Sequence, residues 1–329
     1  MKKPRIIAGI VMMLLAGIVL SSCGGKQETI KIGEVTRSVF YAPEYVALAE
    51  GFFKDEGLKV ELQTTPGGDK TMTALLSNQI NVALVGAETS IYVYQQGAED
   101  PVINFAGLTQ TDGTFLVARA ANNSFDWNQL KGSDFLGQRK GGMPQVAGEF
   151  TLKKQGIDPQ QDLNLIQNID FANITAAFAS GTGQYVQLFE PQASIMEKEG
   201  KGHVVASFGT ESGKLQYTVF MAKQSFIKGH QDSIKKFTAA LYKVQQWVDQ
   251  HSPEEIAKTI APYFNNTDMD IITSSVKRYK EQGTYAKTPA ITEEMWNNLQ
   301  NVMDSAGELK SKVEMSKIVD PSFATEATK

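Results

Sequence analysis

The sequence predicts an α/β protein of two lobes, and three observations carry that reading. Strand and helix signals alternate through most of the chain. The alternation breaks near residues 120–134 and then restarts, and the last third reads as helices alone. The 329 residues are too many for one minimal domain, and two lobes joined by two crossings would enclose a groove. A 42% hydrophobic fraction leaves ample material for a core. The net charge is only −4, with three histidines and no basic block, so nucleic acid is not an expected partner. A single cysteine excludes a disulfide framework and any Cys-rich zinc or iron–sulfur site, and no cofactor or metal is expected.

In the first lobe, Thr29 to Val35 alternates apolar and polar residues as a strand does, and Pro43 suits the first turn of a helix. Leu58 to Leu62 alternates strictly. A turn at Pro66–Asp69 leads to a helix through Met72 and Leu75. Ile80 to Val85 is a buried strand, Ile91 to Gln96 a helix, and Val102 to Leu108 and Thr114 to Arg119 are further strands. This order implies a mostly parallel sheet with helices on both faces. The second alternation offers strands at Asp134–Gln138, Leu163–Gln167, Tyr185–Phe189 and His203–Ser207, with helices between them. Tyr217 to Ala222 is a strong strand that returns the chain to the first lobe. Helical spacing then runs through Ile234, Phe237, Leu241, Val244 and Val248; Ser252-Pro-Glu-Glu255 is a capping box, and Thr292 caps a later helix. The expected boundaries are residues 29–118 with 220–329 for the first lobe, and 119–219 for the second.

Residues 1–22 form a secretory leader: a basic start, an apolar run of about 15 residues, too short for a comfortable membrane span, and small residues at its end. The one cysteine, Cys23, follows Leu-Ser-Ser, as in a bacterial lipobox, where it is lipidated and becomes the new N-terminus. Residues 23–28 then make a short tether. The expectation is a mildly acidic protein held by lipid on the extracytoplasmic face of a bacterial membrane.

Ligands in such folds sit outside the carboxyl ends of strands. The candidate loops are Thr36–Tyr41, Pro66–Asp69, Gly86–Ser90, Gln110–Gly113, Arg139–Pro144 and Phe189–Pro191. Several precede predicted helices, whose free N–H groups favour acceptors. The stretches Tyr41-Ala-Pro-Glu-Tyr-Val-Ala-Leu-Ala-Glu-Gly-Phe-Phe53, Asp55-Glu-Gly-Leu-Lys-Val60, Asn81-Val-Ala-Leu-Val-Gly86, Leu188-Phe-Glu-Pro191 and Val319-Asp-Pro-Ser-Phe323 resemble, in order and spacing, the substrate-binding lipoproteins of ABC importers. The group concerned covers aliphatic sulfonates, nitrate, taurine and thiamine-precursor pyrimidines. The resemblance spans nearly all of the chain after the leader. It implies the two-lobed periplasmic-binding-protein-like fold, with the C-terminal helices on the first lobe. It also implies a monomer that closes on a small molecule and hands it to a permease whose ATPase is a separate chain.

The resemblance places ligand contacts at Ser38, Phe40 and Tyr41, although either ring also suits the core. Gly68 permits close backbone approach, and Asp69 binds an amine or caps a helix. Glu88 holds an amino or aminopyrimidine group, or is a capping or surface acid, with Thr89 beside it. Arg139, Gly142 and Met143 open the second lobe's first strand–helix unit, where backbone N–H groups and a guanidinium suit an anion and the thioether an apolar wall; the other reading is a solvated Arg-Lys pair beside a glycine turn. Glu190, in the family's Phe-Glu-Pro step, contacts ligand or fixes a crossing, and Gln110 has the same two readings. The acids near these loops outnumber the bases, which favours an organic, amine-bearing or partly aromatic ligand over nitrate. No nucleophile stands with a base at a recognisable spacing, so capture without catalysis is expected. The alternatives are a ligand-sensing receptor lipoprotein and a pyrimidine-synthase-like enzyme. The resemblance gives the latter a Cys-rich motif that this chain lacks.

Overall fold

The computed structural model describes residues 28–329. The leader and Cys23 lie outside the described residues. Ten strands are present among them: β1 (Glu28–Glu34), β2 (Leu58–Thr64), β3 (Val82–Gly86), β4 (Val102–Thr109), β5 (Thr114–Ala118), β6 (Asp134–Leu136), β7 (Asn164–Ile166), β8 (Tyr185–Phe189), β9 (His203–Ser207) and β10 (Thr218–Lys223). They build two five-stranded sheets, ordered β2-β1-β3-β10-β4 and β7-β6-β8-β5-β9. Alternation sets the register at the first sheet's edge, where Ile30 lies beside Val60 and Ile32 beside Leu62. β4 and β5 are buried along their whole length and are mostly apolar, with Asn104, Thr109 and Thr114 the polar residues among them.

Each sheet contains one reversed strand. β10 runs antiparallel to both β3 and β4, and β5 runs antiparallel to both β8 and β9. The topology explains this. The chain leaves the first sheet at the carboxyl end of β4, crosses the gap, and enters the second sheet from its cleft side as β5. It returns the same way into β10. The sequence reading assigns residues 114–118 to the first lobe and begins the return at residue 220. The structure instead puts β5 in the second sheet and all of β10 in the first. Four apolar residues after Thr114 announce a strand, but nothing local to them says which sheet will take it.

The long helix Gln231–Gln250 buries Ile234, Phe237, Leu241, Val244 and Val248 and packs on Ala42–Ala49 of the first lobe. The capping box forms: Ser252 Oγ accepts from the Glu255 N–H at 3.2 Å, and the Glu255 carboxylate accepts from the Ser252 N–H at 2.9 Å. Thr292 accepts from the Met295 N–H and starts helix Glu293–Ser305. The C-terminal helices do not pack on the first lobe alone. Glu293–Ser305 also meets Met143–Lys154 of the second lobe, and helix Met269–Gln282 braces the crossings.

That brace is specific. The Tyr279 hydroxyl donates to the Gly113 carbonyl at 2.8 Å and accepts from the Glu190 N–H at 3.0 Å. The buried Glu190 carboxylate pairs with Arg278 at 2.6 Å and accepts from the Ser194 N–H and hydroxyl, each at 3.0 Å. The Phe40 ring covers the first crossing so closely that a Cβ on Gly113 would lie 2.4 Å from it. Phe189, Tyr217 and Tyr279 surround that ring.

Two predictions follow from these buried acids. Glu190→Ala removes the buried partner of Arg278, leaving it Glu197 alone, and empties the bonds from Ser194; it should lower the unfolding free energy by about 3 kcal/mol in urea titration; an unchanged midpoint would remove Glu190 from the brace. Glu44, on Ala42–Ala49, is fully buried, and both its carboxylate oxygens lack partners among the described residues. Burial, and then the neighbouring Glu34, raise its carboxyl well above 4.5. The folded chain therefore keeps this proton to higher pH than the unfolded chain does. Its contribution to stability is complete at acid pH and is lost as pH rises from the unfolded value toward the folded one. Glu44→Gln should raise Tm more at pH 8 than at pH 5; equal shifts at the two pH values would refute this.

Candidate functional site

A cavity of about 250 Å³ lies between the lobes, at the carboxyl ends of the parallel strands. The first lobe supplies Tyr41, the Gly67-Gly68-Asp69 turn, the Gly86–Thr89 turn, and Tyr217 with Thr218 at the head of β10. The second supplies Gln138 through Pro144, with Phe171 and Phe189.

Local chemistry sets each wall. Gly67 has φ 109°, a conformation that favours glycine, and from it helix Gly68–Leu76 starts directly. β3 ends at Gly86 and helix Glu88–Gln95 begins two residues later. The Glu88 side chain folds back over that turn, and a Cβ on Gly86 would sit 2.1 Å from its Oε2. Glycine is what makes room for the carboxylate. Across the cleft, Gly141 has φ 88° and Gly142 leads into helix Met143–Lys154.

Two contacts tie the lobes together over the cavity. Glu88 Oε1 accepts from the Met143 N–H at 3.0 Å, at the start of the second lobe's helix. Asp69 pairs with Arg139 at 2.8 Å, and Arg139 also lies 3.4 Å from Asp170. The two contacts differ in kind. Asp69 and Arg139 remain about half exposed, whereas Glu88 is 2% exposed. Burial pushes the Glu88 carboxyl up to about 7, against the pull of its own N–H and those of Met143 and Thr89. For Asp69 slight burial pushes upward, but Arg139 and backbone N–H groups outweigh it and hold the carboxyl below its ordinary value.

Of the residues singled out in the sequence, Tyr41, Gly68, Asp69, Glu88, Thr89, Arg139, Gly142 and Met143 line the cavity. Ser38, Phe40, Gln110 and Glu190 do not line it. Ser38 Oγ donates to the Glu190 carbonyl at 2.6 Å and accepts from the Phe40 N–H, so it caps the short helix Val39–Tyr41 against the second lobe. Phe40 is core over the crossing, and Glu190 is consumed by the brace. Gln110 Nε2 donates to the Gly283 carbonyl at 3.0 Å beside the first crossing. Sequence reasoning missed Gln138, Phe171, Tyr217 and Thr218 as cleft residues. The signal for the last two was present: they head the strand that follows the return crossing, and such a position faces the groove.

Three cavity-lining residues carry buried polar atoms with no partner among the described residues: Glu88 Oε2, the Tyr217 hydroxyl and Thr218 Oγ1. All three lie on the first lobe's side. Buried polar atoms normally have partners, so an unpartnered set around a cavity marks where a ligand's polar groups would go. Among the described residues no cluster of three or more His, Cys, Asp or Glu side chains is placed to hold a metal ion. No described helix is long and apolar enough to cross a membrane.

Solved structures share this fold. The ligand-binding component of an ABC-type import system from Staphylococcus aureus, with zinc bound, superposes with a TM-score of 0.75 at 17% identity, covering 92% of this chain and 99% of that one. The periplasmic nitrate-binding protein NrtA from Synechocystis PCC 6803 gives 0.74 at 17%, covering 92% and 89%. The alkanesulfonate-binding protein SsuA from Xanthomonas axonopodis pv. citri, bound to MOPS, gives 0.71 at 14%, covering 89% and 98%. At such identities the likeness is one of fold. In sequence, the chain is 59% identical over 313 residues to YtlA of Bacillus subtilis (strain 168), covering 94% of this chain and 93% of that protein, which carries a provisional name as a binding protein. The model of the NMT1-like family matches residues 24–262, and the chain belongs to that family.

Proposed function

We propose that this protein is the extracytoplasmic solute-binding component of an ABC importer, and that its solute is a small organic molecule bearing an amine or an amino-substituted heterocycle. The observation that carries the ligand class is Glu88. It is the buried carboxyl on the cavity wall, and one of its oxygens is unpartnered beside the free Tyr217 hydroxyl and Thr218 Oγ1. A carboxylate in that setting accepts from a charged or strongly polar N–H donor. Arg139, the obvious anion ligand, is already neutralised by Asp69 and Asp170. Nitrate and alkanesulfonate, which name two of the structural neighbours, therefore suit this cleft less well than a donor does. The fold, the interlobe cavity and the family support capture by closure, with no chemical step. A permease with a separate ATPase chain would receive the solute. Lipid at Cys23 would hold a monomeric protein at the outer face of the membrane.

The test is a thermal-shift panel on the full-length chain with thiamine and its aminopyrimidine precursors, taurine, aliphatic sulfonates, nitrate, bicarbonate and amino acids. A ligand at about 100 times its Kd adds roughly 2.7 kcal/mol, or several degrees in Tm. A shift with an amino-bearing compound is expected; a shift confined to sulfonates or nitrate would overturn the ligand class.

Glu88 also sets a pH dependence. Its carboxyl stands at about 7 in the closed cleft, and an amine with a pKa above about 9 binds the ionised form. Affinity for such an amine should rise about tenfold from pH 6 to pH 8, as the carboxylate ionises. Glu88→Gln should weaken binding at pH 8 and abolish the slope, read by calorimetry at each pH; a flat wild-type profile would exclude Glu88 as the acceptor. Arg139→Ala removes a half-exposed pair and should change Kd by no more than about fivefold.

A further inference from the structure

We infer that the cleft takes a two-part ligand, whose amine-bearing head occupies the main cavity and whose neutral aromatic or apolar part occupies a second chamber behind Phe171 and Phe189. This rests on the reading of the cleft as a solute site. The chamber measures about 240 Å³, nearly the size of the main cavity. The two share four wall residues, Thr36, Gln138, Phe171 and Phe189, so they are neighbouring rooms of one cleft.

Their chemistry differs sharply. The main cavity is lined by Asp69, Glu88, Arg139 and Lys140. No lining residue of the second chamber carries an ionisable group; buried Ile174 and Leu188 contribute apolar wall, and threonines and glutamines make up its polar part. A charged group placed there would meet no counter-charge, whereas an aromatic or aliphatic group would gain from burial against Ile174 and Leu188. The partition between the rooms is itself aromatic. The Phe171 and Phe189 rings lie 5.9 Å apart at 57°, and Phe189 is fixed from behind by Phe40 at 5.3 Å. Phe171 sits in the short helix Phe171–Asn173 and is only half-buried. The two rings touch, so the pair forms a partition with one fixed side, and a flat linker would pass beside it, along the shared walls of Thr36 and Gln138.

The experiment uses the full-length chain and two probes. The first is 4-fluorobenzyl alcohol, which has no amine head, followed by 19F NMR line broadening. The second is a matched pair, 4-amino-5-aminomethyl-2-methylpyrimidine and its N-benzyl derivative, compared by calorimetry. Thr175→Trp fills the second chamber from helix Ile174–Ala179, and Ala172→Trp fills it from the rim should the first variant unfold. The fluorinated alcohol should broaden with wild type and not with the filled variant. The benzyl compound should bind at least tenfold more tightly than its parent, and the filled variant should reduce that ratio to near one. Equal affinities of the pair, or broadening that survives filling, would overturn the inference. If neither pyrimidine binds while the alcohol still reports the chamber, the second chamber stands and the amine-head reading falls. If the alcohol also fails to broaden, the chamber inference falls with it.

Discussion

The Tyr279 hydroxyl is the fixed point of the molecule. It joins the carbonyl of Gly113, where the chain leaves the first lobe, to the N–H of Glu190, in the second. Most of the polar groups beside it are satisfied: Glu190 has Arg278 and Ser194, Ser38 has the Glu190 carbonyl, and Phe40 is wedged over Gly113. A joint built this way resists sliding, because any shift breaks several buried polar contacts together. In the proposed function this joint is the axis about which the lobes would open and shut the cleft.

The cavity side obeys the opposite rule. There, buried polar atoms are left open at Glu88, Tyr217 and Thr218. Unpartnered buried atoms occur elsewhere too, at Glu44 and at Asp112, whose carboxyl burial pushes up to about 7 against the Thr114 hydroxyl and N–H. Only those that also line a cavity speak of a ligand. Both conditions are needed, and neither Ser38 nor Glu190 meets either, although they belong to loops that sequence alone would enrol in the site.

That contrast also explains what the sequence made legible. Strand and helix periodicity was readable almost throughout, and so was the two-lobe plan, because burial imposes period on the chain. Caps at Ser252 and Thr292 were readable because they are local chemistry. The sheet that takes Thr114–Ala118 was not, since it is decided by where the chain crosses. Among the cleft residues, those in glycine-bearing turns after strands were found. Gln138, Phe171, Tyr217 and Thr218 escaped because they are ordinary residues made functional only by facing the groove. Conversely, Glu190 looked like a binding acid because sequence shows a carboxylate without showing Arg278 beside it.

In the proposed function, Glu88 is where binding and closure become one event. Its Oε1 already accepts from Met143 of the opposite lobe, and only Oε2 is left for a ligand. A donor arriving at Oε2 therefore adds to the seam and does not replace it. It also favours the ionised carboxylate, the form that accepts most strongly from the Met143 N–H. Each partner strengthens the other's hold on the same group, so under this proposal the ligand would bind the arrangement with the Glu88–Met143 bond better than one in which the lobes have parted. A ligand shifts a conformational equilibrium only by such a difference in affinity. The exposed Asp69–Arg139 pair cannot supply that difference, because water serves both charges nearly as well when the lobes part. The buried carboxylate can, and its place at the meeting of two lobes and a cavity makes it the residue through which an occupied cleft differs from an empty one.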